Sequence, residues 1–193
     1  MPPPSATGVS CAIADADNAP ITATPIIILP IDPIMPDPLQ PITLEQIVAR
    51  KREEVEAGKR HRTIDDFKSM ISELGRPRNF FGALVRHPSA AHMSVIAEIK
   101  RKSPSAGWIR PEYQDDDFDP VTIARRYHAN GASAISCLTD GEFFAGRLSY
   151  IHAIRDAVPL PVLRKDFIVD PWQIWESRAH GADAILLIAE TLN

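Results

Sequence analysis

The chain has 193 residues, of which 45% are hydrophobic and 24% charged, and its formal net charge is −4. This composition is typical of a globular protein of one domain or slightly more, and the mild acidity disfavours a nucleic-acid-binding protein that works by bulk charge. The two cysteines, Cys11 and Cys137, are too few for a disulfide framework and lack metal-ligand spacing, so the sequence favours a reducing, cytoplasmic location.

Residues 1–41 hold most of the 18 prolines. Proline removes a backbone donor and blocks both helices and central strands, so this segment is predicted to be a disordered or polyproline-like arm. Its apolar run, "PIIILPI", is too short for a membrane span, and no basic region precedes it as a secretory signal requires. A passive tail, or a start codon assigned too early, is favoured over a docking function.

Residues 42–92 are predicted to form a helical extension. Thr43 followed by Gln46 is a capping-box signature, so a helix begins there. The segment "TIDDFKSMISELG" predicts a second helix that ends at Gly75. The segment "RNFFGALVRHP" predicts a short third helix closed by Pro88.

From residue 93 onward, apolar runs alternate with helix-like segments. Four runs, "SVIAEIK", "ASAISCLTD", "LPVLRKDF" and "ADAILLIAE", have the pattern of parallel strands in an α/β protein. The sequence also repeats itself, as "DPVTIARRYHANGASAI" and "DPWQIWESRAHGADAI". In each copy an aspartate can cap a helix and a glycine can end it: Asp119 with Gly131, and Asp170 with Gly181. The repeated unit fits a doubly wound sheet or a (β/α)₈ barrel.

The first of these strands becomes charged toward its end. Side chains alternate along a strand, so Ile96, Glu98 and Lys100 share one face. The other face is wholly apolar and is predicted to lie under helices: Val95, Ala97 and Ile99. The third run repeats the pattern, since Leu163, Lys165 and Phe167 also share a face.

The carboxyl ends of parallel strands carry the ligand site in α/β folds. The sequence therefore predicts that three lysines converge on one mouth: Lys100, Lys102 and Lys165. Charges there are costly unless they are paired or matched to a ligand, which indicates an anionic substrate, with Glu98 holding a lysine. A purely structural glutamate–lysine pair is the alternative.

Three segments closely resemble the indole-3-glycerol phosphate synthase family: "IAEIKRKSPSAG", "AISCLTDGEFFAG" and "PVLRKDFIVDPWQIWESRAHGADAILLI". The resemblance runs from about Thr43 to the end of the chain. It implies an α/β fold, the (β/α)₈ TIM barrel with an N-terminal helical extension, of which residues 93–193 hold about the first four βα units. It also implies a carbon–carbon lyase of tryptophan biosynthesis that needs no cofactor. Its substrate, 1-(2-carboxyphenylamino)-1-deoxyribulose 5-phosphate, closes to indole-3-glycerol phosphate with loss of carbon dioxide and water.

The resemblance also implies roles for single residues. Lys165 matches the general acid of ring closure, while Lys100 would bind substrate anions and Glu98 would orient or stabilise. Ser103 matches a phosphate ligand beside Lys102. Aromatic residues that line the pocket for the anthranilate ring, with a proline nearby, are matched by Phe144, Phe167 and Pro104.

The resemblance leaves the activity of this chain open, because a full barrel takes roughly 250 residues. The second half of the barrel would supply further catalytic groups and phosphate loops. We therefore expect a truncated product or a fragment that lacks useful activity alone. An alternative is a non-catalytic half-barrel that assembles with itself or with a partner carrying the missing strands.

A third interpretation is a nucleic-acid or scaffold module that uses the basic cluster at 59–62. A solvated helix end is favoured, because cations there complement the helix dipole. The six histidines show no HxH or HExxH pairing, so no metal site is predicted. The expected partner is a phosphorylated small molecule, with neither nucleic acid nor membrane.

Overall fold

The computed structural model describes residues 42–85, 93–114 and 117–192. The predicted proline-rich arm, residues 1–41, and Pro88 lie outside these ranges. Within them, no helix combines the length and the apolar character needed to cross a membrane.

The N-terminal extension begins with a capped helix. The Gln46 amide N–H donates to Thr43 Oγ1 over 3.3 Å, and the Thr43 N–H donates to Gln46 Oε1 over 2.9 Å. The predicted capping box is therefore confirmed. The extension contains three described helices: α1 (Leu44–His61), α2 (Ile64–Glu73) and α3 (Phe80–Val85).

The remaining described residues form an α/β unit around a parallel sheet. Its strands are β1 (Ile96–Ile99), β4 (Ala134–Leu138), β5 (Val162–Lys165) and β6 (Ala184–Ile185). They lie in the order β1-β4-β5-β6, with every neighbouring pair parallel. A short antiparallel hairpin follows the first strand: β2 (Lys102–Ser103) and β3 (Gly107–Trp108). Three helices connect the parallel strands: α4 (Pro120–Ala129), α5 (Ser149–Ala157) and α6 (Pro171–Ala179). This is the strand order of the first half of a (β/α)₈ barrel, as predicted.

The sequence repeat folds as its residues predict. Asp119 accepts a hydrogen bond from the Val121 N–H at the start of α4, and Asp170 does the same for Trp172 in α6. The glycines that follow these helices, Gly131 and Gly181, have φ angles of +83° and +93°. Only glycine adopts that region without strain, which explains the residue type at both turns.

The core lies between the sheet and its helices. Strand residues Ile99, Ile135 and Val162 pack there against buried residues of α4 and α5. Cys137 belongs to the same cluster, and burial raises the pKa of its thiol to about 12. The prediction that the apolar face of β1 lies under helices is thus confirmed at Ile99. It is wrong at Val95, which comes just before the strand begins and is 49% exposed.

Two elements differ from the sequence-based prediction. The fourth apolar run, predicted over 182–190, is a strand only at Ala184–Ile185 and then gives way to a 3₁₀ turn at Ala189–Thr191. In the described residues β6 pairs only with β5, so its hydrogen-bond ladder is one-sided and short. The β2–β3 hairpin was not predicted, because two-residue strands carry no periodic signal.

The helical extension is fastened to the α/β unit at separate places. Phe67 of α2 packs edge-on against Trp172 of α6, with the ring centroids 5.0 Å apart. Near the opposite, amino-terminal end of the strands, the guanidinium of Arg78 donates to the carbonyls of Arg155, Val158 and Leu160 over 2.7–2.8 Å. The extension therefore contributes to the packing of both ends of the unit.

Candidate active site

A carboxylate shared by two lysines lies at the carboxyl end of the sheet. The Lys100 ammonium is 2.7 Å from Glu98 Oε1. The Lys165 ammonium donates to the other oxygen of the same carboxylate, Glu98 Oε2. The prediction that Glu98 holds a lysine is confirmed, and it holds two.

Strand register explains how residues so distant in sequence meet. Glu98 lies beside Ser136 of β4, which in turn lies beside Leu163 of β5. Lys165 is two residues beyond Leu163 on the same face and reaches diagonally across β4 to Glu98. The side chains of Glu98 and Lys165 remain 30% and 39% exposed, so the pair is open to a ligand.

The electrostatics of this cluster favour an ionised carboxylate. Burial alone would raise the pKa of Glu98, but the hydrogen bonds from Lys100 and Lys165 outweigh it and lower that pKa below its usual value. Two ammonium groups face one carboxylate, so the cluster carries a surplus positive charge. Such a site attracts an anion and offers it an N–H donor.

The hairpin after β1 carries the other predicted polar residues. Ser103 is buried, and its Oγ accepts the Ala106 N–H over 3.1 Å. Within the described ranges its hydroxyl donates to no acceptor, so the proton is available for a ligand. Lys102 does not join the glutamate cluster, because its ammonium lies 5.5 Å from the ring centroid of Trp108. Pro104 is exposed in the turn of the hairpin.

Two aromatic rings lie beyond β4 and β5. The ring centroids of Phe144 and Phe167 are 6.1 Å apart, with the ring planes inclined at 40°. Both side chains are half-buried rather than part of the closed core. The structure therefore brings these two predicted residues together, in a form that leaves apolar surface for a ring-shaped ligand.

Sequence reasoning missed a buried ion cluster on the opposite face of β5. The ammonium of Lys51, on α1, lies 2.7 Å from Asp140 Oδ2 and 3.2 Å from Asp166 Oδ1. Arg164 binds Asp166 from the strand side, with Nη2 3.0 Å from Oδ2. The sequence did contain a signal for this cluster, the segment "RKD". Arg164 and Asp166 are two residues apart, so their side chains lie on the same face of the strand, the face that packs under helices and is normally apolar.

We call this group the inter-loop ion cluster. It consists of Lys51, Glu54, Asp140, Arg164, Asp166 and Glu176. Burial alone would raise the pKa of Asp166, but Arg164 and Lys51 outweigh burial and lower it. The cluster borders a cavity of about 190 Å³. In the described ranges, no group of three or more histidine, cysteine or acidic side chains has a geometry that could hold a metal ion.

Comparison with known proteins gives a consistent result. The family model for indole-3-glycerol phosphate synthase matches residues 44–193. The chain is 48% identical over 150 residues to the protein of that name from Acidithiobacillus ferrooxidans, 50% to that from Burkholderia multivorans and 47% to that from Rhodospirillum rubrum. Each match covers 78% of this chain and 55% of the relative, so the chain spans about half the length of the curated relatives it matches.

Proposed function

The chain belongs to the indole-3-glycerol phosphate synthase family, and on that basis we propose that it provides part of the active site for the ring closure which that name describes. The substrate would be 1-(2-carboxyphenylamino)-1-deoxyribulose 5-phosphate and the location cytoplasmic. The observation that carries the proposal is the carboxylate of Glu98, shared by Lys100 and Lys165 at the carboxyl end of the sheet.

In the proposed reaction Lys165 is the general acid. The aromatic ring carbon attacks the substrate carbonyl carbon, and the carbonyl electron pair moves to oxygen, which takes a proton from the Lys165 ammonium. The carboxyl group then leaves as carbon dioxide, and the electrons of its C–C bond restore the aromatic ring and neutralise the ring nitrogen. The new hydroxyl takes a proton from solvent and departs as water, while the adjacent methylene carbon loses a proton to solvent, which forms the C=C bond of the indole. Before substrate binds, Glu98 orients the Lys165 ammonium, which donates to its carboxylate. The same carboxylate would stabilise the positive charge that develops on the ring nitrogen of the substrate.

The remaining proposed roles concern binding. Lys100 would pair with a substrate anion, and Ser103 would donate to the phosphate, with Lys102 and Pro104 beside it in the hairpin. Phe144 and Phe167 would hold the anthranilate ring. The support for this role is that the two phenylalanine rings lie together, 6.1 Å apart between centroids. Holding the substrate's aromatic ring against its own carbonyl carbon would remove much of the entropy cost of ring closure.

The test is turnover of the carboxyphenylamino substrate by the chain mixed with a second polypeptide, which holds the part of a relative's sequence that this chain does not span. Product is followed by the fluorescence of the indole ring. We expect the wild-type mixture to form product and the mixture with Lys165→Met to lose that activity, with Lys68→Met, an exposed lysine on α2, as the matched control. A folded wild-type mixture that forms no product would overturn the proposal for this chain. Equal rates for the wild type and Lys165→Met would overturn the assignment of the general acid.

A second candidate is a half-barrel that assembles with itself or with strands of another polypeptide. It is favoured by exposed apolar side chains on the sheet and beyond its last described strand, since Ile96 is 46% and Leu187 is 52% exposed. Light scattering over a concentration series decides this candidate. A stable monomer at all concentrations would argue against self-association.

A further inference from the structure

We propose that Lys51 of α1 is a positioning residue for the candidate active site. It holds Asp140 and Asp166, the two aspartates that shape the segments following β4 and β5. Its effect on catalysis rests on the proposed function, whereas its effect on the two segments does not.

Lys51 is enclosed by carboxylates. Its ammonium lies 2.7 Å from Glu54 Oε2, in addition to its contacts with Asp140 and Asp166, and its side chain is only 5% exposed. Burial alone would lower the pKa of Lys51, but Asp166 and Asp140 outweigh it and raise that pKa. A buried ammonium in three ion pairs is a fixed element of the structure, in contrast to an exposed lysine.

Asp140 organises the segment after β4. It is fully buried, and its Oδ1 accepts the Phe143 N–H over 2.8 Å. Its backbone carbonyl accepts the Gly146 N–H over 2.7 Å. Between these two bonds lies Phe144, followed by Ala145 at φ +52°, a strained value for a residue with a Cβ. Among the described residues, Lys51 is the only cation within 4.0 Å of the Asp140 carboxylate.

Asp166 performs the same task after β5. Its Oδ1 accepts the N–H of Phe167 over 2.8 Å, while its Oδ2 accepts the hydroxyl of Thr139 over 2.6 Å. It directly follows Lys165 in the chain, so a displaced Asp166 would shift the proposed general acid. Lys51 therefore touches the groups that fix both segments.

The charge balance shows why Lys51 is needed. Two buried cations, Lys51 and Arg164, face four carboxylates in the inter-loop ion cluster, and the exposed Arg50 lies 4.0 Å from one of these, Glu54. Without Lys51 the only buried cation left in the cluster would be Arg164, and Asp140 would be a buried anion with no cation beside it in the described structure. An unpaired buried charge recruits water or protonates, and either outcome would loosen the turn that it holds.

Two other cations fasten the helical extension to the α/β unit without contacting the segments that Lys51 holds. Arg78 fastens the extension at the other end of the strands through backbone carbonyls, and Lys59 of α1 does so through Asp170 at the start of α6. Neither contacts Asp140 or Asp166. Arg78→Met is therefore the matched control, because it removes a fastening cation without touching the two segments.

The decisive measurement is hydrogen exchange at the amides of Phe143 and Phe167. In Lys51→Met we expect both to exchange at least about tenfold faster than in the wild type, because each loses a fixed acceptor. Arg78→Met should not accelerate these two amides selectively. Lys51→Arg should restore part of the protection, since it keeps the charge and the adjacent cavity of about 190 Å³ can take the larger group. Unchanged exchange in Lys51→Met would overturn the proposal.

Kinetics of the chain mixed with the second polypeptide, as in the test of the proposed function, supply the second readout. In Lys51→Met we expect kcat to fall about tenfold or more while KM changes less, because the displaced group acts in the chemical step, and Lys51→Arg should recover part of the loss. Faster exchange with an unchanged kcat would overturn the catalytic part of the proposal. Absence of product with the wild type would instead overturn the proposed function, and the exchange result would still decide whether Lys51 positions the segments.

Discussion

The two faces of β5 carry charge in opposite ways. Lys165, on the inner face, has a side chain that is 39% exposed and donates to the single carboxylate of Glu98. Arg164, on the helix-facing side, is 5% exposed and donates to Asp166, Glu176 and Ser177. A buried charge such as that of Arg164, which is fully hydrogen-bonded within the protein, stabilises the fold. An exposed charge such as that of Lys165, which shares its carboxylate with a second lysine, can still bind a ligand. The contrast separates the candidate catalytic lysine from its structural neighbour.

The largest expected effect concerns the inner face. Lys165→Met should reduce kcat by about 10²–10⁴-fold, the usual contribution of a general acid, while the free energy of unfolding stays within about 1 kcal/mol of the wild type. Steady-state kinetics of the chain mixed with the second polypeptide measure kcat, and urea unfolding of the chain measures its stability. A large loss of stability would mean that Lys165, like Arg164, is structural.

The reverse pattern is expected on the other face. Arg164→Met should lower the free energy of unfolding by about 3–5 kcal/mol, because it leaves the buried Asp166 and the half-buried Glu176 without their guanidinium. Urea unfolding at neutral pH provides the measurement, with Lys68→Met as an exposed control. A change no larger than that of the control would show that the ion cluster adds little to stability.

Acid should affect the buried face more strongly than the exposed face. The folded-state pKa of Asp166 lies below its unfolded value of about 3.9, so its contribution to stability is present above that pH and is lost as the pH falls through the folded pKa. Asp166→Asn should therefore flatten the decline in unfolding free energy below about pH 4. Unfolding curves at a series of pH values test this, and an unchanged slope would contradict it.

The smallest effect is expected from Glu98→Gln. The pKa of Glu98 is also lowered in the folded protein, so the sign is the same, and its contribution is lost as the pH falls below about 4.3. Because this side chain is 30% exposed, water screens its ion pairs, and the slope should change less than in Asp166→Asn. A larger change than in Asp166→Asn would reverse the proposed distinction between the faces.

Much of the architecture was predictable from local chemistry. Thr43 and Gln46 marked the start of α1, and Asp170 with Gly181 marked the limits of the last βα repeat. The β2–β3 hairpin and the short β6 were not predictable, because two-residue strands depend on their neighbours rather than on a pattern of their own. Of the three lysines expected at one mouth, Lys102 packs against Trp108 instead of joining Glu98. Alternation fixes the face of a strand residue, but the loop after the strand decides where the next side chain points.

The sequence by itself determined which residues alternate, where helices begin and end, and that charge replaces apolar residues at the ends of β1 and β5. These features depend on neighbours within a few residues. Only the tertiary structure decided which charges pair: Glu98 with Lys165 across β4, and Lys51 of α1 with Asp140 and Asp166. Those pairs join distant parts of the chain, and Coulomb attraction selects partners by distance and burial in the folded protein, which sequence spacing does not contain.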